Sequence, residues 1–293
     1  MIFEARTGDG WRLELEEIAA PAGARAACLL GHAMMTNRRS LDRPAGRGMA
    51  SALAAPGRLA VYTFDCRGHG GSAARDGRGW TYDDIALRDV PAAVAAVRAR
   101  APGLPLVLVG HSLVAHGGLA WLGQEPDAPV GAVVALAANV WIPRLEPDRL
   151  TWLGKRATLE AWRVASIPLG RFPARRLGMG NEDEPRAYVE QFLRWARTDR
   201  WDANDGRDYL AGLARVRAPV LAVAGEADRF MCTPGAARAF AAALRAAPVT
   251  FRLVGAHELP GFRPDHMGLV TARQAAPLWA ELEHWIVDVP GGS

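Results

Sequence analysis

The sequence predicts an α/β protein built on a mostly parallel central sheet flanked by helices. Three observations predict it. Short runs that are apolar throughout and rich in Val and Leu recur along the chain, as strands buried on both faces require. Longer alanine-rich segments of helical character separate them. The alternation is interrupted once, between residues 138 and 219, where helical periodicity continues without a convincing strand. A chain of 293 residues is one large domain or two small ones, long enough to bury a full core.

The elements follow in order. Residues 2–6 and 11–18 alternate apolar and polar side chains on either side of "TGDG", as the arms of a β-hairpin do. After the Pro21–Gly23 turn come the apolar runs "AACLLG" (26–31), "RLAVYTFD" (58–65), "PLVLVG" (105–110), "VGAVVALAA" (130–138), "PVLAVAG" (219–225) and "VTFRLVG" (249–255). Helices are expected at about 46–55, 83–100, 113–123, 234–246 and 272–287. Thr233 before Pro234 supplies a cap followed by a first-turn proline. The interruption holds half of the ten tryptophans: Trp141, Trp152, Trp162, Trp195 and Trp201. Those rings either fill the core of a helical subdomain or line an apolar pocket beneath a lid; the lid is favoured because such insertions sit over strand ends.

Composition narrows the function. The formal charge is only +4, and the basic residues are scattered arginines with a single lysine, Lys155. A nucleic-acid surface needs a concentrated basic stripe, so none is expected. Three cysteines without paired spacing argue against a disulfide framework or a zinc site and suit a reducing cytoplasm. The N-terminus has charges throughout and no signal-peptide core, and the longest apolar stretch is too short to span a bilayer. The expectation is a cytoplasmic protein. No phosphate-cradling or metal-binding motif is present, so no cofactor is expected.

The chemistry centres on "VLVGHSLVAHGG", residues 107–118. A hydroxyl is a poor nucleophile until a base takes its proton and dipoles stabilise the oxyanion. A sharp strand-to-helix turn lifts a serine clear of the sheet and aims the next backbone N–H at the reacting oxygen. The strained turn favours G-x-S-x-G; Gly110, His111, Ser112 and Leu113 fit, and Val114 stands where the second glycine is expected. A serine there is also a common helix cap. The partners decide between the two. Asp228 lies in "GEADRF" just past one strand, and two histidines follow the last strand, His257 in "GAHELP" and His266 in "PDHMGLV". Serine, acid and histidine in that order, each past a different strand, match one particular fold. Asp228 has a plainer reading as a turn carboxylate.

From about residue 24 onward, the insertion excepted, the sequence resembles the α/β-hydrolase superfamily. "GHSLV" resembles its nucleophile elbow, and "DCRGHGGS" (65–72) resembles the loop after its fourth strand. "LLGHAMM" (29–35) is similar to its oxyanion loop, with Ala33 in the usual glycine position. "HMG" followed by "PLW" is similar to a group of little-characterised bacterial predicted hydrolases. The resemblance implies an α/β-hydrolase fold, with residues 1–140 and 216–293 as the core and 141–215 as a helical lid inserted between the sixth and seventh strands. It also implies roles: Ser112 as nucleophile, His266 (with His257 as the alternative) as base, and Asp228 as the orienting acid. The N–H groups of Leu113 and of Met34, or else Ala33, would hold the oxyanion. His32 and His69 are read as loop-fixing, and no role is assigned to His111 or His116. Val114 is read as a tolerated departure that reshapes the pocket wall, because overpacking costs about 1–3 kcal/mol unless neighbours shrink.

The function expected is hydrolysis of a small-molecule carboxylic ester or thioester through an acyl-enzyme. Acyl transfer or cyclisation from the same intermediate is the alternative, depending on water exclusion. A catalytically silent relative that binds a ligand or partner is the alternative of another class. Epoxide and haloalkane hydrolysis are disfavoured, since those relatives carry an aspartate where this chain has Ser112. Oligomerisation is left open.

Overall fold

Alternation along buried strands sends successive side chains to opposite faces, and a sheet with such strands must build two cores. The computed structural model of the chain describes residues 1–73 and 79–289. Its strands are β1 (Ile2–Arg6), β2 (Arg12–Ala19), β3 (Ala26–Gly31), β4 (Leu59–Phe64), β5 (Leu106–His111), β6 (Ala132–Leu136), β7 (Val220–Gly225) and β8 (Val249–Val254). They form one sheet in the order β1-β2-β4-β3-β5-β6-β7-β8. β2 runs antiparallel to both neighbours, and every pairing from β4 to β8 is parallel. The register sets Cys28 beside Val107 and Leu29 beside Leu108. Leu29, Tyr62, Leu108 and Val133 enter one core; Cys28, Leu30, Val61, Val107 and Val134 enter the other.

Helices cover both faces. α1 (Met49–Ala54) and α7 (Ala276–Asp288) close the second core through Met49, Leu53, Trp279 and Leu282. α2 (Val90–Arg100) and α3 (Leu113–Gln124) close the first through Val94, Val97, Leu119 and Leu122. α2 is entered through a π-helical turn, Ile85–Asp89, where one uninterrupted helix was expected. α6 (Pro234–Ala241) begins where Thr233 accepts a hydrogen bond from the Ala236 N–H at 3.2 Å. One strand departs from expectation. β8 lies at the sheet edge with Thr250, Arg252 and Leu253 exposed, so it is not buried on both faces. Segment 290–293 of the expected core lies outside the described residues.

The interruption between β6 and β7 holds α4 (Arg149–Ser166) and α5 (Arg186–Thr198), which pack on each other. It also contains two short antiparallel strands that the sequence reading does not anticipate, Arg171–Phe172 with Glu184–Pro185. Tryptophans pack both inside this insertion and across its contact with the core, where Trp201 also lies 5.6 Å from Phe240. Trp195 meets Tyr82 edge-on at 4.8 Å, and Trp201 lies 5.5 Å from Tyr209. Trp162 sits between Trp141 and Phe172, at 5.7 and 5.1 Å. A buried ion pair fastens α4: Lys155 Nζ lies 2.6 Å from Glu146, which also accepts the Thr233 hydroxyl at 3.1 Å. Lys155 is fully buried with its ammonium over the Trp141 ring. Because β3, β5, β6, β7 and β8 are parallel, the loops leaving β3, β5, β7 and β8 emerge on one edge of the sheet.

Candidate active site

Ser112 joins β5 to α3 with φ +49° and ψ −103°, a region L-residues rarely occupy. Its N–H donates to the Leu136 carbonyl at 2.8 Å, and its own carbonyl accepts the His116 N–H at 3.0 Å. Gly110 is obligatory here, because a Cβ would fall on the Ala115 backbone. Val114 is fully buried. Its side chain packs onto Gly31, where any Cβ would lie inside the valine. The missing elbow glycine is therefore balanced by a glycine on the neighbouring strand. That corrects the reading of Val114 as part of a pocket wall.

The loops after β7 and β8 meet at this turn. Asp228 is 3 % exposed, and His266 Nδ1 donates to its Oδ2 at 2.7 Å. Burial alone raises the Asp228 pKa; the His266 hydrogen bond and charge, with backbone N–H groups, outweigh it and hold the carboxyl below its ordinary value. The Ala227 N–H donates to the Pro264 carbonyl at 3.0 Å, joining the two loops. The Trp279 indole donates to the Leu269 carbonyl at 2.8 Å and anchors the segment behind His266 to α7. His266 Nε2 is buried and has no partner among the described residues, so no hydrogen bond to Ser112 is made in this state. His257 is almost wholly exposed and reaches only Glu258, at 3.3 Å.

His111 is a site residue that sequence reasoning missed. Its ring lies 5.0 Å from that of His266, and Nε2 is 3.0 Å from the His266 carbonyl. Burial, reinforced by His266, lowers its pKa to about 3, so it stays neutral and Nε2–H donates. His111 thus ties the base segment to the residue next to Ser112. His116 is also buried and neutral, 3.0 Å from the Tyr82 hydroxyl.

The loop after β3 completes the arrangement. His32 accepts the Cys66 N–H at Nε2, 3.0 Å, so Nδ1 carries the proton it shares with the Ala33 carbonyl at 2.8 Å. Thr36 donates to the same carbonyl at 3.0 Å. Met35 has φ +57°, and its N–H donates to Glu184 Oε1 at 2.7 Å. The Met35 carbonyl accepts the N–H groups of Asn181 and Glu182 at 2.9 and 3.1 Å. Between these anchors the Met34 N–H makes no hydrogen bond among the described residues. The Leu113 N–H, first in α3, has no intrahelical acceptor. Free donors beside a helix N-terminus suit a developing negative charge. His69 lies 3.1 Å from Glu184 and 2.8 Å from the Arg67 carbonyl, a loop-fixing position. Among the described residues no cluster suited to a metal ion is found.

The model of the family described as serine aminopeptidase, S33, matches residues 45–260. The chain belongs to that family, within the α/β-hydrolase superfamily. The matched stretch of this hydrolase includes Ser112 and Asp228 and ends before His266. Solved structures share its fold over nearly the whole chain. An esterase of Pyrococcus furiosus is 15% identical, with a TM-score of 0.66 and coverage of 100% of this chain and 91% of that one. An esterase of a Rhodococcus species is 18% identical, with a TM-score of 0.59 and 99% of each chain covered. A monoacylglycerol lipase of Paleococcus ferrophilus is 16% identical, with a TM-score of 0.60 and coverage of 95% and 99%. No curated protein sequence matches the chain. No described helix of the hydrolase is long and apolar enough to cross a membrane.

Proposed function

We propose that the protein is a serine hydrolase of carboxylic esters or thioesters acting through an acyl-enzyme. The observation that carries this reading is the His266–Asp228 hydrogen bond beside the strained Ser112 turn, with His266 Nε2 unpartnered. Ser112 Oγ attacks the acyl carbon while its proton passes to His266 Nε2, and Asp228 stabilises the imidazolium. The N–H groups of Met34 and Leu113 hold the oxyanion. The imidazolium returns the proton to the departing alkoxide or thiolate, and water repeats the sequence to free the acid. The insertion serves as a lid whose ring-filled seam keeps the site apolar. Its neighbours of known fold include proteins described as esterases and a lipase, which supports the ester reading.

The test is labelling with an active-site fluorophosphonate read by intact mass, alongside turnover of short-chain nitrophenyl esters. One label per chain is expected, lost with Ser112→Ala, and turnover should fall by at least about a thousandfold. A Ser112→Ala protein that is labelled and active like the parent would overturn the assignment. An aminoacyl nitroanilide run in parallel compares amide with ester cleavage; faster turnover of the nitroanilide would move the substrate class to peptides and leave the nucleophile in place.

A further inference from the structure

From the geometry of the loop after β3 we infer that Glu184, carried by the insertion, is a positioning residue for the oxyanion-binding N–H of Met34. This rests on the reading of Ser112 and Met34 given above. Glu184 is fully buried, yet it lies far in sequence from everything it holds. Its Oε1 accepts the Met35 N–H at 2.7 Å and meets His69 Nε2 at 3.1 Å. The same short stretch makes further contacts with this loop and one with the loop after β4. Asn181 and Glu182 donate their N–H groups to the Met35 carbonyl, at 2.9 and 3.1 Å. Glu182 Oε1 accepts Asn37 Nδ2 at 2.6 Å and the Gly70 N–H at 3.0 Å. Gly180 lies so close to Met35 that a Cβ there would strike its carbonyl oxygen.

These contacts fix a direction. A peptide unit is planar and trans, so whatever holds a carbonyl also aims the N–H of the next residue. His32 and Thr36 hold the Ala33 carbonyl and so set the plane carrying the Met34 N–H. The following plane, with the Met34 carbonyl and the Met35 N–H, is joined to it at the Met34 Cα, so a shift of the second strains the first. Met35 is in the left-handed region, which disfavours an L-residue by about 1–2 kcal/mol. Glu184 on its N–H, and Asn181 and Glu182 on its carbonyl, hold Met35 in that conformation. Without Glu184 the left-handed residue relaxes and the Met34 N–H turns from the line an oxyanion needs. Among the described residues the side-chain hydrogen bonds of Glu184 go to Met35 and His69 and none to Ser112 or His266, so its effect passes through the loop.

Two measurements on the full-length protein, for Glu184→Ala and Glu184→Gln, test this. The first is amide hydrogen exchange in the peptide covering residues 32–37. The second is kcat and KM on a nitrophenyl ester, with the affinity of a boronic acid that forms a tetrahedral adduct. Glu184→Ala should exchange faster over 32–37. It should lose about a hundredfold in kcat and in boronate affinity, the cost of one oxyanion donor, with KM little changed. Glu184→Gln keeps an acceptor for the Met35 N–H and should recover most of both. Should the alanine variant not fold, Glu184→Gln against Gly180→Ala, which pushes on the same carbonyl, applies the same readouts. Unchanged exchange, or a folded Glu184→Ala with parental kcat and boronate affinity, overturns the inference. If Ser112→Ala keeps its activity, the serine mechanism is what fails, and the exchange data still decide whether Glu184 sets the loop.

Discussion

At the residue scale the site is built by burying polar side chains, and the histidines around Ser112 are each held at one ring nitrogen by a defined partner. His266 is set by Asp228 at Nδ1 and by His111 at its carbonyl, and exposed His257 has neither. His266→Ala should therefore match Ser112→Ala in an ester assay, while His257→Ala keeps nearly full activity; the reverse pattern would exchange the bases. His69 carries a pH dependence. Burial opposes its charge, but Glu184 beside it, the Arg67 carbonyl and Glu182 prevail and raise its pKa from 6.5 to about 9. His32, the other imidazole facing it, is lowered to about 4 and stays neutral. A raised pKa favours the fold while the group is protonated. The contribution is complete below about pH 6.5 and gone once pH passes about 9. Melting temperature should fall across that interval, and His69→Gln should flatten the fall. A parental protein with a flat profile there would show that His69 is not charged in the fold.

At the element scale the contact of β3 with α3 is a steric match whose contribution to stability can be measured. Val114 fills the space that Gly31 leaves, so the two positions should be coupled. Val114→Gly should cost about 2–4 kcal/mol, from lost burial and glycine's helix penalty, and leave turnover of small and bulky esters essentially unchanged. Gly31→Ala should be destabilising by about 1–3 kcal/mol or more through overpacking. Combining Gly31→Ala with Val114→Gly should recover at least about 1 kcal/mol relative to the sum, as contacting residues do in a double-mutant cycle. Additive urea-denaturation energies would refute the pairing. The same contact shows where sequence reading stops. Apolar runs and the serine, acid and histidines behind them are local signals, so the strands are legible directly, and Ser112, Asp228 and the pair His257 and His266 are legible as candidates. Gly31 opposite Val114 is a steric match between separate elements, and nothing near either residue announces it. Glu184, in a run of three acids, looks like a solvated turn until the fold brings Met35 and His69 to it. The open face of β8 follows from its lateral position in the sheet, which the composition of one strand does not encode.

At the scale of the whole molecule the insertion meets the core through aromatic packing and a buried ionic cluster as well as through the hydrogen bonds of residues 180–184. The aromatic contacts of Trp195 with Tyr82 and of Trp201 with Phe240 are apolar, and the Lys155–Glu146–Thr233 cluster is ionic and buried. Lys155→Ala strands a buried carboxylate and should cost about 3–5 kcal/mol. Lys155→Met with Glu146→Gln removes both charges and should restore most of that loss in a urea titration; equal instability of the single and double variants would count against the pair as the cause. Parallel pairing of β6 with β7 leaves the length of the connection between them free, because neither strand's register depends on what the chain does between them. Such a connection invites exchange between relatives as a cassette for altering substrate preference. In this chain the cassette also carries residues 180–184, which grip the loop after β3. A transplanted insertion would therefore bring its own setting of that loop, and a chimera with a well-shaped pocket but no equivalent of Glu184 would bind its new substrate and turn it over slowly.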